Sequence, residues 1–203
     1  MAGPTKQRIL REAMRLFGEK GFGPTTINDI EQAAGLSPGS GAVYRHFASK
    51  QAILDEGVQA QIETNAALLQ SLGGPADSSA PLGVQLRTTG QAGLKRLERE
   101  RDLNRLVLRD LRDHPHLLRA VRDREMAPVR RALVGWLESH GGDDLDCEAL
   151  AAVIMGATSH YWALRDVFGR HPSGVSAERY VAALADLAEA LLVRNTREDA
   201  SDG

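Results

Sequence analysis

Between Gly21 and Lys50 the sequence reads GFGPTTINDIEQAAGLSPGSGAVYRHFASK, and this stretch constrains the chain more than any other. Two apolar-periodic runs, Ile27 to Ala34 and Ala42 to Phe47, are separated by Gly35-Leu36-Ser37-Pro38 and opened by Thr25-Thr26. Each run is too short to hold a helix alone, because nucleation is unfavourable and few bonds follow it. Together they read as a packed helix that presents a second one, the helix-turn-helix arrangement suited to a DNA major groove.

Local chemistry predicts the details. Thr26 is placed to cap the first helix, with Asp29 complementing its N-terminus and Ile27, Ile30 and Ala34 on one face. Gly35 suits a left-handed position after the helix, since it has no Cβ to clash. Ser37 followed by Pro38 is a second start signal. Val43 and Phe47, four apart, should pack inward, which leaves Tyr44, Arg45 and His46 outward.

The segments TTINDIEQAAGLS and VYRHFASKQAIL resemble the DNA-binding domain of the TetR family of bacterial transcriptional regulators, over roughly residues 5–55. The resemblance implies an all-α fold with an N-terminal three-helix DNA-binding domain containing the helix-turn-helix, residues 1–50, which also take in the start of a connecting helix. Residues 51–203 would form a helical ligand-binding and dimerisation domain. It further implies a homodimer, double-stranded operator DNA as partner, and a small-molecule effector. Carried over by position, Thr26, Tyr44, His46 and Lys50 match phosphate contacts, and Pro38 to Phe47 match the recognition helix. With neighbouring residues, the expected DNA-binding set is Thr25, Thr26, Ser37, Pro38, Gly39, Ser40, Gly41, Tyr44, Arg45, His46 and Lys50.

Two departures stand out. Six residues separate Ser37 from Tyr44, against four in the family, the difference being supplied by Gly39-Ser40-Gly41. A helical Gly costs about 1 kcal/mol relative to Ala, so these glycines either form an irregular first turn or let backbone approach DNA closely. Glu31 stands where the family has a small Ala, and is expected to tilt outward.

Charge is unevenly distributed. Residues 1–50 hold seven basic against four acidic residues, a net +3, leaving −5 for the remainder of a chain whose total is −2. A basic reader on an acidic body would steer phosphate to one end; chance variation among solvated faces is the alternative. Hydrophobic residues make up 42% and aromatics only 4%, and Leu and Ala dominate over alternating β-branched runs, which predicts an all-helical chain. One cysteine excludes an internal disulfide framework. No apolar run approaches the roughly 18 residues of a membrane span, and the N-terminus lacks a signal-peptide layout, so a soluble, cytoplasmic protein is expected.

Helices are predicted over Thr5–Glu19, then from Ser49 through Leu54, Val58, Ile62, Ala66, Leu69 and Leu72. About 22 residues of the latter would reach about 33 Å, long enough to act as a lever between reader and body. GGPADSSAP, 73–81, reads as a linker. Helical segments follow at Leu82–Arg101, Leu103–Asp113 and His116–Leu137, the last broken near Met126 by Pro128. By the same resemblance that break would open room for a ligand; the alternative is two shorter helices with no cavity. Met126, Trp136, His160, Tyr161 and Trp162 are candidate pocket residues, with core packing as the alternative.

The last two segments, Asp146–Phe168 and Ser176–Arg194, are the least polar. The resemblance implies that these two helices pair with their copies in a dimer interface, through a small-residue stripe, Ala152, Gly156, Ser159, Ala163 and Val167, with Leu184, Leu187 and Leu191; the alternative is a monomer that buries both helices. No catalytic constellation emerges. His114, His116, Cys147, His160 and His171 match no compact metal site, no Glu-x-x-His motif is present, and Gly39-Ser40-Gly41 lacks the context of a phosphate loop. Neither an enzyme nor a bound cofactor or metal is expected. A ligand-independent DNA-organising protein remains the alternative function, with a small helical-bundle enzyme behind it.

Overall fold

A computed structural model describes residues 3–71, 79–142 and 144–199, with side chains described except at 67–71 and 195–199. Among these residues the chain is all-α. It divides into two compact units, one made of 1–72 and 100–126, the other of 73–99 and 127–203. The first unit thus takes in helices that a boundary at residue 50 assigns to the C-terminal domain.

In the first unit, α1 (Pro4–Lys20), α2 (Ile27–Ala33) and α3 (Lys50–Ser71) are joined by α5 (Arg101–Arg109) and α6 (Pro115–Val121), α4 belonging to the other unit. α1 sets Ile9, Ala13, Met14 and Phe17 against Ile30 and Ala34, Val43 and Phe47, and Ile53, Leu54, Val58 and Ile62 of α3. Leu103, Leu106, Leu111, Leu117 and Val121 complete the same core. Short apolar runs that cannot stand alone are held by this shared burial. Approach of α1 to α5 is close at Gly18, where an added Cβ would lie 2.7 Å from the Asp102 Cα.

Capping follows the local sequence. Ser49 Oγ accepts the Ala52 amide at the start of α3 (3.0 Å). A π-helical turn, Arg122–Met126, stands where the break was expected, and α7 (Ala127–Glu138) begins beyond it. Pro128 has no amide and its ring needs room at the carbonyl four residues back, which a widened turn provides.

The second unit contains α4 (Leu82–Arg99), α7, α8 (Cys147–Phe168) and α9 (Ala177–Asp199). Asp146 caps α8 by accepting the Ala149 amide (2.9 Å). Leu86, Val134, Leu137, Leu150, Ala151, Ala185, Ala188 and Leu192 form one apolar cluster; Leu94, Tyr161, Trp162 and Val181 form another. Most of the expected 73–81 linker, and the side chains of Leu69 and Leu72, lie outside the described residues. Among the described residues no helix is long and apolar enough to cross a membrane.

Candidate nucleic-acid interface

The site begins with the cap of α2. Thr26 Oγ1 accepts the Asp29 amide (3.1 Å), while the Thr26 amide donates to Asp29 Oδ2 (2.9 Å), a reciprocal capping box. Lys20 Nζ lies 3.2 Å from Asp29 Oδ1. The Thr26 amide first, then its hydroxyl and Lys20, hold the Asp29 carboxyl down to about 2.

Beyond α2 the structure departs from the expected recognition helix over Pro38–Phe47. Only a single 3₁₀ turn forms, Ala42–Arg45, preceded by an irregular turn in which Gly39 and Gly41 have φ of 76° and 66°. A regular helix cannot include two left-handed residues in three, so the Gly-Ser-Gly insertion shortens it. The 3₁₀ turn still sorts its side chains. Val43 and Phe47 are buried, whereas Arg45 and His46 are exposed and Tyr44 is 56% exposed. Ser37, Pro38, Gly39 and Ser40 are exposed beside them and Gly41 is half-buried.

Three further positions differ from expectation. Thr25 is buried, its hydroxyl donating to the carbonyls of Gly21 (2.7 Å) and Leu16 (3.3 Å), so it ties α1 to α2 instead of facing a duplex. Lys50 Nζ donates to the carbonyls of Phe22 (2.8 Å), Thr25 (2.9 Å) and Gly23 (3.1 Å) and sits 4.5 Å from the Phe22 ring centroid. An ammonium has three donors and all three are used, leaving none for phosphate. Glu31 does not tilt outward: it is fully buried, and its carboxylate accepts the Gly39 amide (2.7 Å), the Val43 amide (3.3 Å) and the Ser40 hydroxyl (3.4 Å). The turn it faces supplies donors that the expected outward pose ignored.

The basic charge of the first fifty residues is also narrower than its count. Lys6 pairs with Glu56, Arg11 with Glu12, Arg15 with Glu12 and Glu19, and Lys20 with Asp29. Among the described residues, Arg8 and Arg45 carry no ion pair, and Arg45 is on the recognition turn itself.

The residues expected to line a pocket divide between the two units, and between core and surface. Met126 belongs to the first unit and is 51% exposed. Tyr161 and Trp162 are core, with the Tyr161 hydroxyl donating to Val175 O (2.8 Å) and Trp162 Nε1 to Glu98 Oε2 (3.2 Å). His160 is exposed, and Trp136 stacks on His140 at 4.3 Å. On α8 the small-residue stripe faces outward: Ala152, Gly156, Ser159 and Val167 are exposed and Ala163 is half-buried. On α9 Leu187 is exposed, with Leu184 and Leu191 half-buried.

A short helix, a tight turn and an outward 3₁₀ turn, braced by α1 from behind, form a helix-turn-helix. Residues 9–56 match the family described as bacterial regulatory proteins, tetR family. The chain is 49% identical over 49 residues to the HTH-type transcriptional regulator YerO of Bacillus subtilis, covering 24% of this chain and 16% of that one. It is 41% identical over 59 residues to the HTH-type transcriptional repressor KstR2 of Mycobacterium tuberculosis, covering 28% of each. The chain thus spans less than a third of the length of these curated relatives. Among solved structures, the fatty acid degradation regulator FadR from Bacillus halodurans superposes with a TM-score of 0.68 at 16% identity, over 93% of this chain and 96% of that one. A TetR-like transcriptional regulator from Rhodococcus sp. RHA1 gives 0.67 at 18%, over 93% and 95%. The family match is confined to the helix-turn-helix segment, and over its length the chain shares the fold of these solved structures.

Proposed function

We propose that this chain is a cytoplasmic homodimeric transcriptional repressor. It binds palindromic operator DNA through the recognition turn of each copy, and releases it when a small apolar or amphipathic molecule occupies the C-terminal domain. The observation that carries the reading is the sorting of Val43 and Phe47 inward with Tyr44, Arg45 and His46 outward. An aromatic hydroxyl, a guanidinium and an imidazole side by side on one turn suit phosphate and base-edge contacts. Dimerisation is supported by exposed apolar side chains on α8 and α9, where Val153, Val167, Phe168 and Leu187 are each more than 60% exposed. Apolar side chains so exposed on long helices favour a second copy as cover.

The test selects duplexes from a randomised pool with the purified protein and measures affinity for the enriched sequence at several salt concentrations. Tyr44→Ala should weaken binding, and Arg45→Ala should also lower the salt slope by about 1 if it meets phosphate. Unchanged affinity and slope in both variants refute the assignment. A ligand-independent DNA-organising protein is the second reading, favoured by the burial of Tyr161 and Trp162 and the exposure of Met126 and His160. Failure of apolar and amphipathic compounds to raise the melting temperature or release the enriched duplex would favour it.

A further inference from the structure

A buried carboxylate beneath an exposed, glycine-rich turn calls for an account. Glu31 is fully buried, and among the described residues it carries no ion pair. A carboxylate out of water is costly unless hydrogen-bond donors replace the solvent. Here the three donors come from one segment: the Gly39 amide reaches Oε2, while the Val43 amide and the Ser40 hydroxyl reach Oε1. Gly39 and Gly41, both left-handed, flank Ser40 and bend the chain over the acid. Ser40 Oγ also accepts the Ala42 amide (3.2 Å), which links the clamp to the first residue of the 3₁₀ turn.

The dependence is mutual. Without the carboxylate, the amide of fully buried Val43 loses its acceptor. Without the turn, the carboxylate loses all three donors. We infer that Glu31 is a positioning residue for DNA recognition, holding the Gly39–Val43 turn at one height over α2 and so setting which base edges Tyr44, Arg45 and His46 can reach. Ser40 is its second anchor. The inference rests on the DNA-binding reading above.

Charge makes the test discriminating. Removing an anion from a DNA-facing module favours every duplex electrostatically, whereas loss of positioning weakens the selected duplex alone. The full-length wild type, Glu31→Gln and Ser40→Ala are measured against the duplex enriched by the wild type and a scrambled duplex of equal length, at one salt concentration, alongside urea unfolding. Glu31→Gln keeps the side-chain volume but turns a donor toward donors. It should bind the enriched duplex about tenfold more weakly, or about 1.4 kcal/mol, with scrambled-duplex affinity equal to or above that of the wild type. Ser40→Ala should lose about threefold in the same sense. Equal proportional losses on both duplexes, tracking the unfolded fraction, overturn the inference, as does an unchanged ratio between them. Should Glu31→Gln not fold, Ser40→Ala decides, because its exposed side chain is dispensable to the core: an unchanged ratio overturns the proposal. If the wild type itself enriches no sequence, the DNA-binding reading falls and this inference with it.

Discussion

Replacing Lys50 with Met removes an ammonium while keeping most of an unbranched stem against Phe22. Three hydrogen bonds to the carbonyls of Phe22, Gly23 and Thr25 disappear, of which the Gly23 contact is solvent-exposed. Hydrogen bonds to charged groups contribute about 1.5–3 kcal/mol each when protected, and the ammonium over the ring adds about 0.5–1 kcal/mol. Water can replace the exposed contact and part of the other two, so a net loss of about 2 kcal/mol is expected, a roughly thirtyfold shift in the folding equilibrium. With a typical urea slope this lowers the midpoint by about 1 M. The same variant is then tested on DNA under conditions where it is fully folded. Its salt slope should match the wild type, because the ammonium is bound to backbone and releases no counterion. Unaltered urea stability together with a salt slope lower by about 1 would refute this assignment and make Lys50 a phosphate contact.

Asp29 gives a pH signature. Its carboxyl is held at about 2, below the ordinary 3.8, so its stabilisation is present above the ordinary value and is lost as pH falls from about 4 toward 2. Wild type should therefore exceed Asp29→Asn in unfolding stability at neutral pH and converge with it near pH 2; a difference independent of pH contradicts the capping role. Gly18→Ala places a methyl 2.7 Å from the Asp102 Cα, a clash no rotamer relieves. Overpacking costs about 1–3 kcal/mol against a propensity gain of about 1 kcal/mol, so urea denaturation should show net destabilisation, and a more stable variant would argue against the close α1–α5 approach. Leu187→Glu puts a charge on the outer face of α9, where Leu187 is 67% exposed. Light scattering should then report monomer, whereas an intact dimer would place the interface elsewhere.

Legibility in the sequence followed range along the chain. The caps at Thr26 and Ser49 each join residues three apart and form where the sequence places helix starts, and Asp146 caps α8 over the same spacing. Hydrophobic period likewise placed Val43 and Phe47 inside, although the surrounding helix is only a 3₁₀ turn. Polar side chains were less readable. Lys50 bonds carbonyls 25 to 28 residues away, and Glu31 bonds amides 8 and 12 residues away. In both cases residue type announced a charge, and the position of the partner decided its use.

By itself the sequence determined the helical class, the starts of α2 and α3, and that Val43 and Phe47 face inward, because capping and hydrophobic period act within one or two turns. Only the tertiary structure decided that Glu31 points in, that Lys50 spends its protons on the α1–α2 corner, and that Tyr161 and Trp162 are core. A buried polar group takes the direction of whichever donor or acceptor the fold brings near it, and neither composition nor spacing records that neighbour.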